Sequence, residues 1–396
     1  MRTVTVVGAS LAGLNSVQQL RHQGFDGRIV VVGDEPHRPY DRPPLSKALL
    51  AGRASVDDLW LCDQEDQDEL DAEWLLGVRA EQLDPAAGRV RLSNGAEIDT
   101  DGVVIATGGQ AKRLPGIEDI QGLHTVRTIE DAIALRAELT RGAGEVVVVG
   151  AGWIGAEIAS TCHELGLGVT LLEAGEVPLS RTLGDAMGSV FAALHTDHGV
   201  TLRCRTQVGG IANAPDGDQR RVTGVWLTDG TQLPADVVVM GIGMRPATDW
   251  LAGSGVAVDD GVLCDPGCVT ELPSVVAVGD VARYRTAAGN TARHEHWTNA
   301  AEQPATAIRN LLAGTTIEHY RPSGYVWSDQ YGVRLQVAGE LGQPDEVEVV
   351  DGSPSDRRFV TAYRRGGDTV GVLAMNNPKL FTRMRKQLAK RAASSS

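Results

Sequence analysis

Two glycine-rich turns constrain the fold of this 396-residue chain more than any other feature of its sequence. The first reads GASLAG at residues 8–13 and the second reads GAGWIG at residues 150–155. Each turn follows an apolar strand and precedes a helix-length segment, a second apolar strand and an acid, so we interpret the two segments as an internal repeat. Further apolar runs, such as DGVVIATGG and ADVVVMGIGMRP, also end in glycine-bearing turns. This alternation of strands and helices predicts an α/β fold.

Both turns have the spacing of a dinucleotide-binding motif, G-x-G-x-x-G. The glycines of this motif allow a tight turn, and the N-terminus of the following helix offers free N–H groups to a pyrophosphate. The second turn matches in full, whereas in the first turn Ser10 replaces the middle glycine between Gly8 and Gly13. Taken alone, the first turn is also compatible with an ordinary strand-to-helix connection. Its position between two strands, with an acid after the second, favours a nucleotide site.

An acid follows each repeat at the place where a ribose is expected to bind. Asp34, with Glu35 beside it, ends the second strand of the first repeat, and Glu173 ends that of the second. Two dinucleotide sites on one chain indicate a flavin and a nicotinamide that meet head to head. A carboxylate binds a 2′-hydroxyl and repels a 2′-phosphate, and the EAGEVP segment beginning at Glu173 contains no arginine. The sequence therefore favours NADH over NADPH.

The segment YDRPPLSKALL, residues 40–50, combines a stiff loop with two cations. Pro43 and Pro44 restrict the backbone, Arg42 precedes them and Lys47 follows. We expect a short helix to begin at the Ser46–Lys47 step and to end at Gly52. The two cations indicate that an anion lies over this loop.

The last part of the chain has a different pattern from about Tyr320 onward. Alternating strands, GYVWSDQYGVRLQVAG, DEVEVVD, RRFVTAYRR and TVGVLAM, precede a basic helix, PKLFTRMRKQLAKR. The pattern predicts a small antiparallel α+β domain.

Charge and cysteine content exclude several classes of function. The formal net charge is −14, which disfavours a nucleic-acid or anionic-membrane partner, and no apolar run is long enough for a membrane span. The chain starts directly with an apolar strand, so we expect no signal peptide. The five cysteines form neither a close redox pair nor a metal quartet; Cys264 and Cys268, which flank a Pro-Gly turn, are left as a minor alternative. We therefore expect reduced thiols, no metal site and a cytoplasmic enzyme.

Several motifs together resemble one family. With both glycine turns, IATGG, AVGDVA, PYDRPPLSK and HEHWTNAAEQ in place, almost the whole chain resembles the oxygenase-coupled, FAD-dependent ferredoxin reductases, the putidaredoxin reductase, rhodocoxin reductase and Rieske dioxygenase reductase type. The resemblance implies two Rossmann-like nucleotide-binding domains, as in glutathione reductase, plus a small C-terminal α+β domain. It implies an FAD-binding domain over 1–112 and 245–319, an NAD-binding domain over 113–244 and a C-terminal domain over 320–396.

The resemblance also implies individual roles. Lys47 is expected near flavin N5, where it stabilises negative charge while Glu157 holds it in place; a structural first-turn lysine is the alternative. Trp327 is expected to pack against the isoalloxazine, although a tryptophan in such a strand is often simply core. Trp153 takes the position of an aromatic gate that nicotinamide displaces. The expected cofactor-binding residues are Gly8, Ser10, Leu11, Ala12, Gly13, Asp34, Glu35, Arg42, Lys47, Ala80, Ala106, Thr107, Gly108, Arg127, Gly279, Asp280, Glu295, His296, Trp297 and Trp327 for FAD, and Gly150, Gly152, Trp153, Ile154, Gly155, Glu173, Gly241 and Gly243 for NADH.

The function that the resemblance implies is electron transfer from NADH through FAD to a 2Fe–2S ferredoxin that supplies a haem monooxygenase or a Rieske dioxygenase. Without a thiol relay, electrons leave directly from the flavin, which accepts two at once and releases them singly. Rubredoxin reductase, and an NADH-binding flavoprotein with a sensing role, remain alternatives. We expect an acidic ferredoxin to dock on the basic C-terminal helix through Lys379, Arg383 and Lys386, and the protein to be a monomer or homodimer. A helix that is basic only to suit its dipole or for solubility is the other interpretation.

Overall fold

Each glycine turn lies at the carboxyl end of the central strand of a five-stranded parallel sheet. The first sheet has the strand order Val275–Ala277, Gly102–Ile105, Thr3–Val7, Arg28–Gly33 and Ala72–Leu76. The second has the order Leu123–His124, Val237–Met240, Glu145–Val149, Gly168–Leu172 and Thr201–Arg203. Four of the five strands follow the same order in both sheets, while the remaining edge strand comes last along the chain in the first sheet and first in the second. The shared four-strand order confirms the internal repeat and the predicted α/β fold with two Rossmann-like regions.

The computed structural model describes residues 1–115, 120–286, 289–342 and 344–394. The chain divides into two compact units. The first unit comprises Met1–Asp41, Leu59–Gln110 and Arg245–Gly324; the second unit comprises Arg42–Asp58, Ala111–Met244 and Tyr325–Ser396. The C-terminal region from Tyr325 thus groups with the segment that carries the second glycine turn. The division into three domains expected from the sequence stays a prediction.

In its described residues, the first unit has three helices and two small sheets besides its parallel sheet. Its helices are Leu11–His22, Gln64–Glu69 and Trp297–Ala313, with 3-10 turns at Asp249–Leu251 and Gly279–Val281. The remaining strands are Ala80–Asp84, Arg89–Leu92 and Glu97–Asp99, which form an antiparallel sheet, and Val262–Cys264, Ala282–Arg285 and Thr291–Ala292.

The described part of the second unit contains the other parallel sheet and two antiparallel sheets. Its helices are Ile129–Thr140, Trp153–Glu164, Ser180–Leu183, Asp185–Asp197 and Pro378–Ser394, with 3-10 turns at Pro43–Ser46 and Pro354–Asp356. One antiparallel sheet consists of Val208–Asp216, Gln219–Leu227 and Gln232–Pro234, joined by Ile120–Gln121. The other has the order Val326–Gln330, Val333–Gly339, Asp368–Met375, Arg358–Arg365 and Glu346–Ser353. Short elements lie where the chain passes from one unit to the other, at Val56–Leu59, Gly109–Ala111 and Met244–Pro246.

Apolar strands place the core on both faces of each parallel sheet. Val6 and Val7 of the first central strand, and Val147 and Val148 of the second, point to opposite faces and are almost completely buried. Helices cover parallel strands on both faces, so such strands are apolar throughout instead of alternating. The antiparallel C-terminal sheet behaves differently: its edge strand Glu346–Ser353 leaves Val347 and Val349 exposed.

The prediction of a short helix after Ser46 was wrong. The helical turn comes earlier, as the 3-10 turn Pro43–Ser46, with Pro43 in its first position, where a missing N–H costs nothing. Lys47 leaves the helical region with φ −126° and ψ −97°, and hydrogen-bonded turns, not a helix, continue to Gly52. The C-terminal strands and the basic helix lie close to their predicted positions. The helix Trp297–Ala313 contains Pro304.

Candidate functional site

The first glycine turn is closed by contacts that only glycine permits. Gly8 has φ +118°, and a Cβ there would lie 2.1 Å from the Ala106 carbonyl oxygen. A Cβ on Gly13 would lie 1.8 Å from the Gly8 carbonyl oxygen. The turn therefore packs the strand end directly against the helix that begins at Leu11, whose N-cap, Ser10, makes no side-chain capping bond. The N–H groups of this helix N-terminus are thus left for an anionic ligand.

The neighbouring strand ends bring other predicted residues to the same edge of the first sheet. Asp34 is exposed and Glu35 half-buried just after Arg28–Gly33, and the Tyr40 hydroxyl donates a hydrogen bond to Glu35 Oε2. After Gly102–Ile105, Ala106 is buried and the Thr107 hydroxyl donates to the Ala247 carbonyl, 2.8 Å away. Gly108 follows with φ +59°. Carboxyl ends of parallel strands are where nucleotides bind in such folds.

The Gly279–Asp280 turn is held by a buried glutamine. Gln303 Oε1 accepts the Gly279 N–H at 2.8 Å, and Gln303 Nε2 donates to Cys268 Sγ at 3.2 Å. Gln303 is fully buried inside the helix Trp297–Ala313. Gln303 lies within the motif HEHWTNAAEQ, but the sequence predicts no role for it; a polar residue on the apolar face of the helix was the signal available.

The remaining predicted FAD residues of the first unit lie near the start of the same helix or begin a strand. His296 is the N-cap, and burial lowers its pKa to about 4, which leaves it neutral near pH 7. Glu295 accepts from Arg293 at 2.7 Å, and Trp297 Nε1 donates to Asp41 Oδ1 at 2.7 Å. Ala80 is buried where Ala80–Asp84 begins.

The second glycine turn repeats the geometry of the first. Gly150 has φ +98°, and a Cβ there would lie 2.4 Å from the Gly241 carbonyl oxygen; a Cβ on Gly155 would lie 1.9 Å from the Gly150 carbonyl oxygen. A Cβ on Gly152, which is the N-cap of the helix Trp153–Glu164, would meet nothing within 4 Å. This leaves open space in front of a helix N-terminus, which is what a pyrophosphate requires. Gly243, with φ +97°, lies in the loop after the neighbouring strand.

Glu173 lies against the second turn. Its Oε2 accepts the Ala151 N–H at 3.1 Å and its Oε1 accepts the Gly175 N–H at 2.7 Å. The carboxylate is therefore fixed at the carboxyl end of Gly168–Leu172, as expected of a ribose-binding acid. Ile154 is 46% exposed, whereas Trp153 is half-buried with its ring edge-on to Phe191 at 6.2 Å. The role of Trp153 as a gate stays a prediction.

Lys47 and Glu157 form the ion pair that the resemblance to the family implies. Lys47 Nζ lies 2.6 Å from Glu157 Oε2, and the side chains are 17% and 3% exposed. The Ser46 hydroxyl donates to the same carboxylate oxygen at 2.6 Å, and the Ser328 hydroxyl donates to Oε1 at 2.7 Å. The Thr161 hydroxyl donates to the Ser46 carbonyl, so the loop is joined to the helix Trp153–Glu164 at a second point. Neither serine was predicted from the sequence to contact Glu157.

Other predicted residues of the second unit lie on the loop and on the C-terminal sheet. Arg42 Nη1 donates to the Arg127 carbonyl oxygen, so the structure brings these two predicted residues together. Trp327 lies on the strand Val326–Gln330 with its ring stacked on Tyr325 at 5.7 Å. The Arg385 guanidinium lies 4.1 Å above the Tyr325 ring. The contact of Trp327 with a flavin stays a prediction.

The five cysteines are all free. Burial raises the pKa of Cys162 and of Cys268 to about 12 and that of Cys264 well above its usual value. Reactive thiols have lowered pKa values, so these three sites are unsuited to redox exchange. Within the described residues, no group of histidine, cysteine and acidic side chains has the arrangement of a metal site, and no helix is both long and apolar enough to cross a bilayer.

The donor groups fit two dinucleotides. Each unit presents a glycine turn, an uncapped helix N-terminus and an acid after the next strand, and the space beside Gly152 is open. These are the groups that bind a pyrophosphate and a ribose. The assignment of FAD to the first turn and NADH to the second stays a prediction.

Comparisons with known proteins agree with this geometry. Residues 2–304 match the family model described as pyridine nucleotide-disulphide oxidoreductase, and residues 325–396 match that described as reductase C-terminal. The chain is 37% identical to the 5,5'-dehydrodivanillate O-demethylase ferredoxin reductase subunit of Sphingobium sp. (strain NBRC 103272 / SYK-6), over 96% of this chain and 91% of that one. It is 36% identical to rhodocoxin reductase of Rhodococcus erythropolis, over 98% and 89%. The reductase in the crystal structure of the covalent putidaredoxin reductase-putidaredoxin complex superposes with a TM-score of 0.91 at 33% identity, covering 98% of this chain and 93% of that chain.

Proposed function

Because the chain belongs to the pyridine nucleotide-disulphide oxidoreductase family and matches its ferredoxin-coupled members along almost its whole length, we propose that it is an FAD-dependent NADH:ferredoxin reductase. It passes electrons to a 2Fe–2S ferredoxin that supplies a haem monooxygenase or a Rieske dioxygenase. The observation that carries the proposal is the pair of glycine turns, each closed against the strand beside it and each followed by an uncapped helix.

FAD, when bound, accepts an electron pair from NADH and delivers electrons singly to a one-electron carrier. The first unit would hold it through the turn at Gly8–Gly13, with Glu35 or Asp34 on the ribose and the Gly279–Asp280 turn on the ribityl chain. The positive end of the helix that begins at Trp297 favours negative charge in front of it. The second unit would bind NADH at Gly150–Gly155, with Glu173 on the adenosine ribose.

Lys47 supplies a fixed positive charge in this proposal. Its ammonium would stabilise negative charge on a bound flavin, and Glu157 holds it in position. A charge that is already in place needs no reorganisation at the moment of transfer, which is why a buried and fully hydrogen-bonded partner matters. The support is the ion pair and the two serine hydroxyls that donate to Glu157.

Electrons leave without a thiol relay in this proposal. A dithiol mechanism needs a close cysteine pair of low pKa, whereas burial raises the pKa of Cys264 and Cys268. The free cysteines are consistent with the reducing cytoplasm that the sequence predicts.

The ferredoxin is proposed to be acidic and to dock on the helix Pro378–Ser394. Lys379, Arg383 and Lys386 are exposed on it. Two other cations of the helix are engaged elsewhere: Arg385 stacks over Tyr325, and Arg391 pairs with Asp368 at 2.9 Å. We therefore assign docking to Lys379, Arg383 and Lys386. Whether the protein is a monomer or a homodimer stays a prediction.

An anaerobic NADH titration followed by addition of an acceptor tests the function. We expect NADH to bleach the flavin absorbance stoichiometrically and a 2Fe–2S ferredoxin to restore it at a catalytically competent rate. Faster reoxidation by rubredoxin would favour the rubredoxin reductase alternative. A stable long-wavelength charge-transfer band that neither acceptor discharges would favour the sensing alternative.

A further inference from the structure

The segment YVWSDQ contains two buried polar residues, one of which contacts Glu157. Ser328 and Gln330 lie on the strand Val326–Gln330 and are 0% and 1% exposed. They are two residues apart, so their side chains point to one face of the strand, while Trp327 and Asp329 point to the other. The face with Ser328 and Gln330 packs against the helix Trp153–Glu164, which carries Glu157.

Glu157 is a buried carboxylate whose two oxygens accept hydrogen bonds from different parts of the second unit. Oε2 accepts hydrogen bonds from Ser46 and Lys47, both at 2.6 Å. Both donors lie in the segment of residues 40–50, here called the proline loop. Oε1 accepts a hydrogen bond from the Ser328 hydroxyl at 2.7 Å. Among the residues that the structure describes, Ser328 is the one donor to this oxygen. A buried charge is stable only when hydrogen bonds replace the water it has lost. The Ser328 hydroxyl is therefore what holds Oε1 in place and keeps Oε2 turned toward Lys47.

Gln330 fixes the direction of that hydroxyl. Gln330 Nε2 donates to Ser328 Oγ at 3.0 Å. A hydroxyl has one hydrogen and two lone pairs, so an incoming donor occupies a lone pair and leaves the hydrogen for an acceptor. The acceptor here is Glu157 Oε1. The polarity of the chain is thus set in one direction, from Gln330 through Ser328 to the carboxylate.

We propose that Ser328, supported by Gln330, is a positioning residue that orients Glu157 and through it Lys47. The inference deepens the proposed function, since it assigns to this strand the task of fixing the cation that stabilises the reduced flavin. It gives the strand two tasks on its two faces: Trp327 on one side and the Glu157 anchor on the other.

A purely structural explanation is available and has to be separated from this one. The same hairpin is also tied to the same helix by the Tyr331 N–H, which donates to Ser160 Oγ at 2.7 Å. If the Ser328 contact only anchors the hairpin, loss of the Ser160 contact should have the same consequences. Ser160→Ala is therefore the matched control, because it removes a buried serine hydroxyl between the same two elements without touching Glu157.

The experiment compares Ser328→Ala, Ser328→Cys and Ser160→Ala in the FAD-loaded protein. The first readout is the limiting rate of flavin reduction by NADH in stopped flow, with the NADH dissociation constant obtained from the same data. We expect Ser328→Ala to lower the limiting rate about tenfold, with FAD content and NADH affinity unchanged, because one hydrogen bond to a charged group is lost. Ser328→Cys keeps the side-chain volume but is a weak donor, so it should fall between parent and alanine.

The second readout does not depend on activity. Acylation of the Lys47 amine by a small anhydride, followed by peptide mass spectrometry, reports how firmly the ion pair is held. Labelling should rise in Ser328→Ala toward the level in Glu157→Gln and stay at the parent level in Ser160→Ala. In a Glu157→Gln background, Ser328→Ala should slow reduction no further.

The positioning role is overturned if Ser328→Ala matches the parent in labelling, or if Ser160→Ala raises labelling as much as Ser328→Ala does. Failure of the catalytic role proposed for the Lys47–Glu157 pair looks different. If Lys47→Ala and Glu157→Gln both reduce flavin at the parent rate, the ion pair is not catalytic, yet raised labelling of Lys47 in Ser328→Ala still supports the orienting role of Ser328.

Discussion

At the scale of single residues, Glu173 is expected to decide between the two nicotinamide cofactors. Its carboxylate is fixed by the Ala151 and Gly175 N–H groups, so it cannot turn away from a 2′-phosphate without losing both bonds. We expect NADH to be preferred over NADPH by about a hundredfold in kcat/KM, because a fixed like charge opposes the phosphate. Glu173→Ala should narrow this ratio. Glu176→Ala, which removes an exposed acid paired with Arg205, is the control and should leave it unchanged.

The Lys47–Glu157 pair is expected to act on the rate of reduction more than on FAD binding. Lys47→Ala or Glu157→Ala should slow flavin reduction by NADH by about tenfold or more, because the charge that it stabilises develops during that step. Stopped-flow absorbance and flavin content measure the two effects separately. The chain offers a close control: Arg53 and Glu164 form an exposed ion pair between the same loop and the same helix. If Arg53→Ala slows reduction equally, the effect is one of loop anchoring.

His195 is expected to make the folded protein less stable at acid pH. It is completely buried, its Nδ1 bonds the Tyr331 hydroxyl at 2.7 Å, His198 lies nearby, and burial lowers its pKa from 6.5 to about 4. Between these values the unfolded chain binds a proton that the folded protein does not, so stability falls as the pH decreases from 6.5 to 4, by up to about 3 kcal/mol. Urea unfolding across this range measures the slope. His195→Gln should flatten it, whereas His22→Gln, at an exposed helix end, should not.

At the scale of elements, the helix Pro378–Ser394 is expected to steer the ferredoxin. Arg383→Glu with Lys386→Glu should raise the KM for ferredoxin severalfold at low salt, and added salt should shrink the difference because the charges are screened. Ferricyanide, which needs no docking, should be reduced at the parent rate. Arg79→Glu with Arg91→Glu reverses two exposed charges of the first unit and serves as the control. Equal ferredoxin turnover by the parent and the helix variant would show that the ferredoxin docks on another surface.

The paired helices that begin at the glycine turns explain why sequence pattern was a good guide at this scale. In both, a Cβ on the last glycine of the turn would lie within 2 Å of the first glycine's carbonyl oxygen. That packing requires glycine at fixed spacing, so the motif is visible in the sequence. The proline loop shows the opposite case: its helical turn ends at Ser46 because Lys47 adopts a non-helical backbone that no spacing rule indicates.

At the scale of the whole molecule, FAD is expected to be part of the stable fold. The purified protein should be yellow, and removal of FAD should lower its melting temperature; a ligand at a thousand times its dissociation constant adds about 4 kcal/mol to stability. Reconstitution should restore both colour and melting temperature. Gly13→Ala should abolish flavin binding, since the new methyl group would lie against the Gly8 carbonyl. Colourless protein that FAD cannot reconstitute would contradict the proposed function as a whole.

The sequence by itself determined the features that depend on neighbours along the chain. Strand periodicity, the glycine turns, the acids that follow them and the basic helix are local patterns, and the structure has them where they were predicted. The ion pair of Lys47 with Glu157 came from resemblance to a family, because no periodicity relates a loop lysine to a carboxylate in a distant helix.

Only the tertiary structure decided which distant side chains complete these sites. Ser328 reaches Glu157 from 171 positions away, and Gln303 joins Cys268 to Gly279 inside the core of the first unit. Such contacts arise when packing excludes water from a polar group and the chain must supply a partner from whichever element lies next to it. That neighbour is fixed by the order of strands and the packing of helices, not by spacing in the sequence.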